Sequence, residues 1–121
     1  FFFFKELNKE HSFHVGIDSC TVSGYINLSQ HIVEESFDTC EAARYSCYIG
    51  PDMIMTPCSF DQDKKYSVRL RPTTIEDAWN DEAFGIFRNH MRYTCPNCLN
   101  RRLCMGGCPL MPEIVLCNHK E

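Results

Sequence analysis

The first half of the chain alternates between strand-like and helix-like patterns of apolar residues. Residues 12–18 place three apolar side chains on one face, as in a half-buried strand: Phe13, Val15 and Ile17. Residues 24–37 carry apolar side chains about one helical turn apart, at Tyr25, Leu28, Ile32 and Phe37. The pattern therefore predicts a strand that ends next to Cys20 and a helix that leads the chain to Cys40.

A β-hairpin is predicted between Arg44 and Cys58. Its first strand has an alternating face formed by Tyr45, Cys47 and Ile49. The dipeptide Pro51-Asp52 supplies turn chemistry, and the sequence MIMT forms the return strand. Because Cys40 and Cys58 flank the two strands, we expect them to meet at the open end of the hairpin.

A short strand and two helices are predicted next. The strand covers residues 66–72, and Thr73 and Glu76 match a capping box at the start of the first helix. This helix would bury one side, made by Ile75, Ala78 and Trp79. The second helix covers residues 81–91 and has core positions at helical spacing, at Phe84, Phe87 and Met91. Periodicity ends soon after this helix, so residues 95–121 are predicted to be a loop that its cysteines fold.

Composition narrows the class of protein. A chain of 121 residues that is 44% hydrophobic can fold around an ordinary core, so its nine cysteines are not needed as disulfide staples. An odd number of cysteines that includes a C-x2-C pair favours reduced thiols that bind metal in the cytoplasm. The formal net charge of -4 argues against a nucleic-acid surface. The sequence has no run of about 18 apolar residues that would span a membrane.

The beginning of the chain is unusual, because four consecutive phenylalanines make a poor solvated terminus. The sequence does not start with Met, and it lacks the basic segment and small-residue cleavage site of a signal peptide. A buried strand of a longer protein accounts better for the sequence FFFF. We therefore expect the chain to be a piece of a longer protein.

The densest chemistry is the spacing C-x2-C-x5-C-x3-C, formed by Cys95, Cys98, Cys104 and Cys108, with Cys117 further along. Two closed sites of four thiolates need eight cysteines, which leaves one of the nine spare. Structural zinc usually has two C-x2-C pairs, whereas this segment has one. The uneven spacing and the all-thiolate set favour iron–sulfur clusters, with zinc as the alternative.

The residues around Cys108 predict that this cysteine serves a second site. In two-cluster ferredoxins a dense run that ends in Cys-Pro sends its last cysteine to the other cluster, and Cys108-Pro109 has the same arrangement. Gly106 and Gly107 let the chain turn before Cys108, and the proline restricts its exit. Cys117 would then complete the first site.

The order of these cysteines resembles that of a known family. A C-x9-G-x7-C pattern at Cys40, Gly50 and Cys58, followed by the dense block and a last cysteine, resembles the SPASM domain. The segment AWNDEAFGIFR before the C-x2-C pair is also similar to family members. Family members usually have fewer residues between the glycine and the second cysteine. The resemblance covers residues 40–118, and SPASM domains are C-terminal extensions of radical S-adenosylmethionine enzymes that modify peptides and proteins.

The resemblance implies two auxiliary [4Fe–4S] clusters. One would be bound by Cys95, Cys98, Cys104 and Cys117. The other, nearer the barrel, would be bound by Cys20, Cys40, Cys58 and Cys108. Cys20 is our choice of fourth ligand for that cluster, and the alternatives are Cys47 and an iron left open to substrate. We interpret Cys47 as the spare cysteine, packed as a small apolar residue in the hairpin.

The implied fold is small, loop-rich and α+β, with a β-hairpin and short helices organised around the two clusters. Residues 1–38 would be the last strands and helix of a truncated radical S-adenosylmethionine β/α barrel, and residues 39–121 the SPASM domain. The C-x3-C-x2-C motif of the catalytic cluster does not occur in the chain. S-adenosylmethionine and a third [4Fe–4S] cluster would therefore bind in an N-terminal part, and the chain alone is predicted to be inactive.

The resemblance also implies a function in electron relay and substrate docking. The expected partners are a peptide or protein substrate, the N-terminal radical S-adenosylmethionine domain, and a ferredoxin or flavodoxin as reductant; neither nucleic acid nor membrane is expected. Two other hypotheses stay open. One is a zinc-stabilised interaction module that binds nucleic acid through Arg69, Arg71, Arg88, Arg92, Arg101 and Arg102. The other is a ferredoxin-like electron carrier that acts on its own.

Overall fold

The described part of the chain forms two compact units. The structure, a computed structural model, describes residues 16–26, 37–115 and 117. Glu41–Thr94 form one unit, which we call the sheet unit, and the other described residues form the second, which we call the cysteine unit. The fold is small and α+β, with a three-stranded antiparallel sheet and a few short helices. The predicted fold class is confirmed at this level.

The two units contain different elements. The sheet unit has strands β1 Tyr48–Ile49, β2 Ile54–Thr56 and β3 Val68–Arg69, followed by helices α2 Ile75–Trp79 and α3 Glu82–Thr94. The cysteine unit has helix α1 Val22–Tyr25, helix α4 Arg101–Cys104 and a 3-10 helix, Pro112–Ile114. Among the described residues, no helix is long and apolar enough to cross a membrane.

Strands β1 and β2 form the predicted hairpin. They pair in antiparallel register, with Tyr48 opposite Thr56. Two backbone hydrogen bonds close the turn between them. The Gly50 amide donates to the Ile54 carbonyl oxygen at 2.9 Å, and the Met53 amide donates to the Gly50 carbonyl oxygen at 3.0 Å. The hairpin prediction is therefore confirmed.

Strand β2 is the central strand of the sheet, because β3 pairs antiparallel with its other edge. Met55 of β2 lies opposite Val68 of β3 and is completely buried. Leu70, just beyond β3, is also buried, and its amide donates to the Met53 carbonyl oxygen at 2.9 Å. These pairings confirm the strand predicted within residues 66–72.

Helix α2 begins one residue later than the capping box predicted. The hydroxyl of Thr74 accepts a hydrogen bond from the Asp77 amide at 3.0 Å and donates one to the Asp77 carboxylate at 2.7 Å. Thr74, and not Thr73, is therefore the N-cap. Ala78 is completely buried as predicted, but Ile75 is 57% exposed. The prediction for Ile75 is wrong, because this first helical residue lies beyond the core that covers Ala78.

Helix α3 is the predicted second helix, and it continues to Thr94. Its apolar face contains Phe84 and Phe87, which are both buried. The ring of Tyr66 packs edge-to-face against Phe87, with centroids 5.3 Å apart and an interplanar angle of 82°. The core positions predicted at these two phenylalanines are confirmed.

Arg88 connects helix α3 to neighbouring segments of the sheet unit. Its guanidinium lies 4.8 Å from the ring centre of Trp79 and 5.6 Å from that of Phe84. Its Nε donates to the Ala43 carbonyl oxygen at 2.5 Å, and its Nη2 donates to the Trp79 carbonyl oxygen. Arg44 in turn donates to the Arg88 carbonyl oxygen at 3.1 Å. The turn that follows Cys40 in sequence is thereby held against helix α3.

The core of the cysteine unit is an apolar cluster formed by Ile17, Val22, Ile26 and Phe37. Ile17 and Phe37 form a parallel bridge, and the Asp38 amide donates to the Ile17 carbonyl oxygen at 3.0 Å. The helix predicted over residues 24–37 is therefore wrong at its end, because the backbone of Phe37 pairs with Ile17. Phe13, Val15, Leu28 and Ile32, like the barrel strand expected at FFFF, lie outside the described residues.

The segment after Cys95 contains two short helical turns. Helix α4 and the 3-10 helix both fall within residues 95–121, which were predicted to be loop. That prediction is wrong for these two stretches, because an element of about one turn is too short to produce a periodic apolar pattern.

Candidate functional site

All nine cysteines lie within the described residues, and none of them forms a disulfide bond. The cysteine unit contains every one of them except Cys47 and Cys58, which belong to the sheet unit. Cys47 is exposed, and the other eight are half-buried. Half-buried free thiols can serve as ligands because they combine an apolar environment with access from solvent.

Helices α1 and α4 hold part of the dense cysteine segment against the apolar core of the cysteine unit. Leu103, Cys104 and Cys117 pack against the cluster that contains Val22 and Phe37. The hydroxyl of Ser23, which is 3% exposed, donates a hydrogen bond to the Ile114 carbonyl oxygen at 2.9 Å. Two described segments that are far apart in sequence thus both contribute to the environment of the thiols.

A sharp turn separates Cys104 from Cys108. Three consecutive residues have positive φ angles: Met105 at 56°, Gly106 at 86° and Gly107 at 81°. The Gly107 amide donates to the Cys104 carbonyl oxygen at 3.0 Å. A Cβ atom at Gly107 would lie 2.5 Å from a methyl carbon of Val115, so glycine is required by both conformation and space. The predicted role of the two glycines in turning the chain before Cys108 agrees with this geometry.

The C-x2-C pair lies in the turns that lead into helix α4. The Cys98 amide donates to the Cys95 carbonyl oxygen, and the Arg101 amide donates to the Cys98 carbonyl oxygen, both at 3.4 Å. Arg101 also donates from its guanidinium to the Pro96 carbonyl oxygen at 3.5 Å. These bonds give the pair a compact backbone from which both thiols can reach one site.

Thiols of the dense segment lie close enough to interact electrostatically. Burial raises the pKa of the Cys95 thiol, and the neighbouring Cys98 and Cys117 raise it further. Burial also raises the pKa of Cys104, and Cys117 and Cys95 add to this rise against backbone hydrogen bonds that lower it. The four cysteines predicted to share one cluster are therefore neighbours. A cationic metal centre would remove the cost of ionising them together.

Cys20 and Cys108 are a second pair of neighbouring thiols. Burial is the main cause that raises the pKa of Cys20, followed by the Asp18 carboxylate and the Cys108 thiol. The Asp18 carboxylate also accepts a hydrogen bond from the Cys20 amide at 2.8 Å. These two cysteines were predicted to bind the same cluster, together with Cys40 of the same unit and Cys58 of the sheet unit.

The thiols are neighbours but do not form a closed ligand set. Within residues 16–26, 37–115 and 117, no group of three or more His, Cys, Asp or Glu side chains is placed to bind one metal ion. The donor set is nevertheless all-thiolate, half-buried and outside any disulfide bond, which fits iron–sulfur ligation. The division of the cysteines between two clusters stays a prediction.

Cys47 does not pack in the core as predicted. Residues 45–49 are all exposed, and Tyr45 is 84% exposed. The prediction is wrong because Tyr45 lies in a turn and Cys47 precedes β1, which is itself an edge strand. The assignment of Cys47 as the spare cysteine stays a prediction.

The arginines of the nucleic-acid hypothesis differ in their surroundings. Arg88 donates hydrogen bonds to two carbonyl oxygens and lies over aromatic rings, so its guanidinium already has partners within the sheet unit. The other described side chains in this set are exposed: Arg69, Arg71, Arg101 and Arg102. Arg88 thus has a structural role that its sequence context did not indicate.

Two supporting residues were not identified from sequence. Ser23 bonds a carbonyl 91 residues away, and no local pattern indicates such a partner. Asp18 could have been identified from the sequence. In turns, an aspartate side chain commonly accepts a hydrogen bond from the backbone amide two residues later, as Asp18 does from Cys20.

Comparison with known families identifies the class of protein. The model of the SPASM family, described as an iron–sulfur cluster-binding domain, matches residues 40–100, which is about half of the chain. The chain therefore belongs to the SPASM family, and the prediction of iron–sulfur binding is confirmed at this level. The match ends before the last three cysteines: Cys104, Cys108 and Cys117. No curated protein and no solved structure matches the chain.

Proposed function

We propose that this chain is the auxiliary-cluster region of a radical S-adenosylmethionine enzyme that modifies a peptide. The observation that carries the proposal is the match of residues 40–100 to a cluster-binding family, and the electrostatic interaction of Cys95 with Cys98, Cys104 and Cys117 supports it. Cys20 and Cys108 are neighbours of each other and support a second site. Two [4Fe–4S] clusters would use all of these thiols together with Cys40 and Cys58.

An iron–sulfur cluster supplies one-electron transfer when it is bound. The residues of this chain would bind it, orient it and limit its contact with water. The thiols of the dense segment provide the ligands, and the apolar cluster around Val22 and Phe37 shields Cys104 and Cys117 from solvent. Gly106 and Gly107 form the turn that precedes Cys108. Burial and nearby hydrogen bonds are the means by which such a site sets its reduction potential.

The proposed context is a larger enzyme. A catalytic cluster and S-adenosylmethionine would bind in a radical S-adenosylmethionine domain on the N-terminal side, and a ferredoxin or flavodoxin would supply electrons. The region described here would relay electrons and dock the peptide substrate. The 121-residue chain should therefore release no 5′-deoxyadenosine from S-adenosylmethionine above a cluster-free control.

Metal and sulfide analysis of the anaerobically reconstituted chain tests the proposal. We expect about eight iron and eight acid-labile sulfide per chain, as two four-iron clusters require. A result of about four iron per chain would agree with the proposed function but would contradict the second cluster site, which includes Cys58. Stoichiometric zinc without sulfide would overturn the proposal and leave the zinc-stabilised interaction module as the better hypothesis.

A further inference from the structure

A groove lies along one face of the hairpin in the sheet unit, and its volume is about 290 Å³. The hairpin contributes Tyr48 and Thr56, which are opposite each other in the β1–β2 register. The turn after Cys58 contributes Asp61 and Gln62. This volume is at the small end of the range for ligand sites, so it suits a single long side chain better than a cofactor.

Asp61 gives the groove a buried charge. The residue is 4% exposed, and its two carboxylate oxygens accept hydrogen bonds from the Lys65 and Tyr66 amides, each at 2.9 Å. No ion pair joins Asp61 to another side chain in the part of the chain that the structure describes. Each carboxylate oxygen can accept more than one hydrogen bond, so Asp61 keeps acceptor capacity. A buried carboxylate without a cationic partner favours binding of a cation.

The remaining charges that line the groove form a pair. The Lys64 ammonium lies 2.5 Å from the Asp52 carboxylate. The hydrogen bond from Lys64 lowers the pKa of Asp52, so this carboxyl stays ionised at neutral pH. Two carboxylates against one ammonium leave the lining with one net negative charge. The groove therefore favours a cation over an anion or a neutral group.

Tyr48 adds an aromatic wall beside this charge. It is 46% exposed, and an aromatic ring attracts a cation placed over its face. Tyr48 also belongs to β1, which is an edge strand whose neighbouring residues 45–49 are all exposed. An exposed strand edge can pair with an extended peptide, and alternate side chains of that peptide then point to one face.

We propose that the groove binds the arginine side chain of an extended peptide that lies along β1. The planar guanidinium has several donors for the free acceptor sites of Asp61 and for the Gln62 side chain, and its flat face suits the Tyr48 ring. The aliphatic stem would pack against Ile54, which also lines the groove. The inference rests on the proposed function in one respect, which is that this peptide is treated as the substrate. The groove itself is independent of the clusters, because none of its residues is a proposed cluster ligand.

Binding of matched peptides to the full 121-residue chain tests this site. The probe is a fluorescein-labelled pentapeptide, Gly-Val-Arg-Val-Gly, and its control has citrulline in place of arginine, which keeps the shape and removes the charge. Fluorescence anisotropy should show the arginine peptide binding at least about tenfold more tightly, and the difference should shrink at high salt. Equal binding of the two peptides would overturn the proposal.

Four variants locate the binding site. Asp61→Asn should reduce the preference for arginine to within about twofold, and Tyr48→Ala should weaken arginine binding by about five- to tenfold. Lys64→Gln removes the internal cation of the groove and should tighten arginine binding by about threefold or more. Asp63→Asn is the matched control, because Asp63 is exposed and does not line the groove. It should leave the preference unchanged.

The outcomes separate this inference from the proposed function. If the Asp61 and Asp63 variants lose the preference for arginine equally, the preference arises from the overall charge of the chain. That result would overturn the assigned site. Should Asp61→Asn fail to fold, the opposite responses of the Tyr48 and Lys64 variants still decide the question. Iron and sulfide are measured on the same samples. Peptide selectivity without clusters would contradict the proposed function alone, and clusters without selectivity would contradict the groove alone.

Discussion

The buried hydroxyl of Ser23 donates a hydrogen bond of 2.9 Å to the carbonyl oxygen of Ile114. It joins helix α1, which follows Cys20, to the 3-10 helix that precedes Cys117. The segment that follows the dense cysteine block is thus connected to a helix that is far from the block in sequence. The cysteine unit therefore depends on residues outside the cysteine motif itself.

Removal of this hydroxyl should destabilise the cysteine unit. Ser23→Ala leaves the Ile114 carbonyl without its partner, which should lower the free energy of unfolding by about 1–2 kcal/mol. Anaerobic urea denaturation followed by circular dichroism measures the loss. Ser46→Ala is the matched control, because Ser46 is exposed, and it should change stability by less than about 0.5 kcal/mol. Equal effects of the two variants would contradict the role of this bond.

Two glycine substitutions should have opposite effects. Gly107→Ala places a Cβ atom 2.5 Å from Val115 at a φ of 81°, so it should lower both stability and iron content. Gly85→Ala lies inside helix α3 with no atom within 4 Å of the new Cβ. It should raise stability by about 0.5–1 kcal/mol. Thermal unfolding and iron analysis of both proteins check the pair, and a stable, fully loaded Gly107→Ala protein would be inconsistent with the required turn.

Cysteine variants should identify ligands by iron content. Cys98→Ala removes a thiol from the dense segment and should lose about half of the iron, because metal binding and local folding are coupled. Cys47→Ala should retain both clusters, and since Cys47 is exposed its stability should change by less than about 0.5 kcal/mol. Iron lost from Cys47→Ala but kept in Cys20→Ala would show that Cys47 is the fourth ligand of the second cluster.

Cluster assembly should accelerate as the pH rises. Burial raises the pKa values of Cys20, Cys95 and Cys104, so these groups are protonated at neutral pH and become thiolates only above the ordinary thiol range. Thiolates are the ligands, and metal binding must release the protons. The rate at which the cluster absorbance appears should therefore continue to increase above about pH 8.5, which is the pKa of an ordinary thiol. Cys47→Ala should keep the same profile, and a rate that falls with pH would disagree with the raised values.

Arg88 should be important for the stability of the sheet unit. Arg88→Met removes hydrogen bonds to the Ala43 and Trp79 carbonyl oxygens and the contact with the Trp79 ring. The loss should be about 2–3 kcal/mol. Trp79 is the only tryptophan in the chain, so its fluorescence during denaturation reports on this unit. Arg102→Met is the control at an exposed position and should be nearly neutral.

Local signals in the sequence were sufficient for several elements. The turn chemistry of Pro51-Asp52 and the apolar residues on either side predicted the hairpin, and the spacing of Phe84 and Phe87 predicted helix α3. The cysteine spacing indicated iron–sulfur binding, which the family match supports. Each of these signals is carried by residues close together in the chain, so the sequence alone determined them.

Other features depended on contacts between distant segments. Phe37 pairs with Ile17 rather than ending a helix, and Cys47 is exposed because it precedes the edge strand β1 and is not part of it. Periodicity shows which residues share a face, but it does not show whether another element covers that face. The Ser23 hydroxyl, the Arg88 contacts and the groove at Asp61 likewise require partners from other segments. Only the tertiary structure decided these features, because burial and hydrogen bonding are properties of the packed chain.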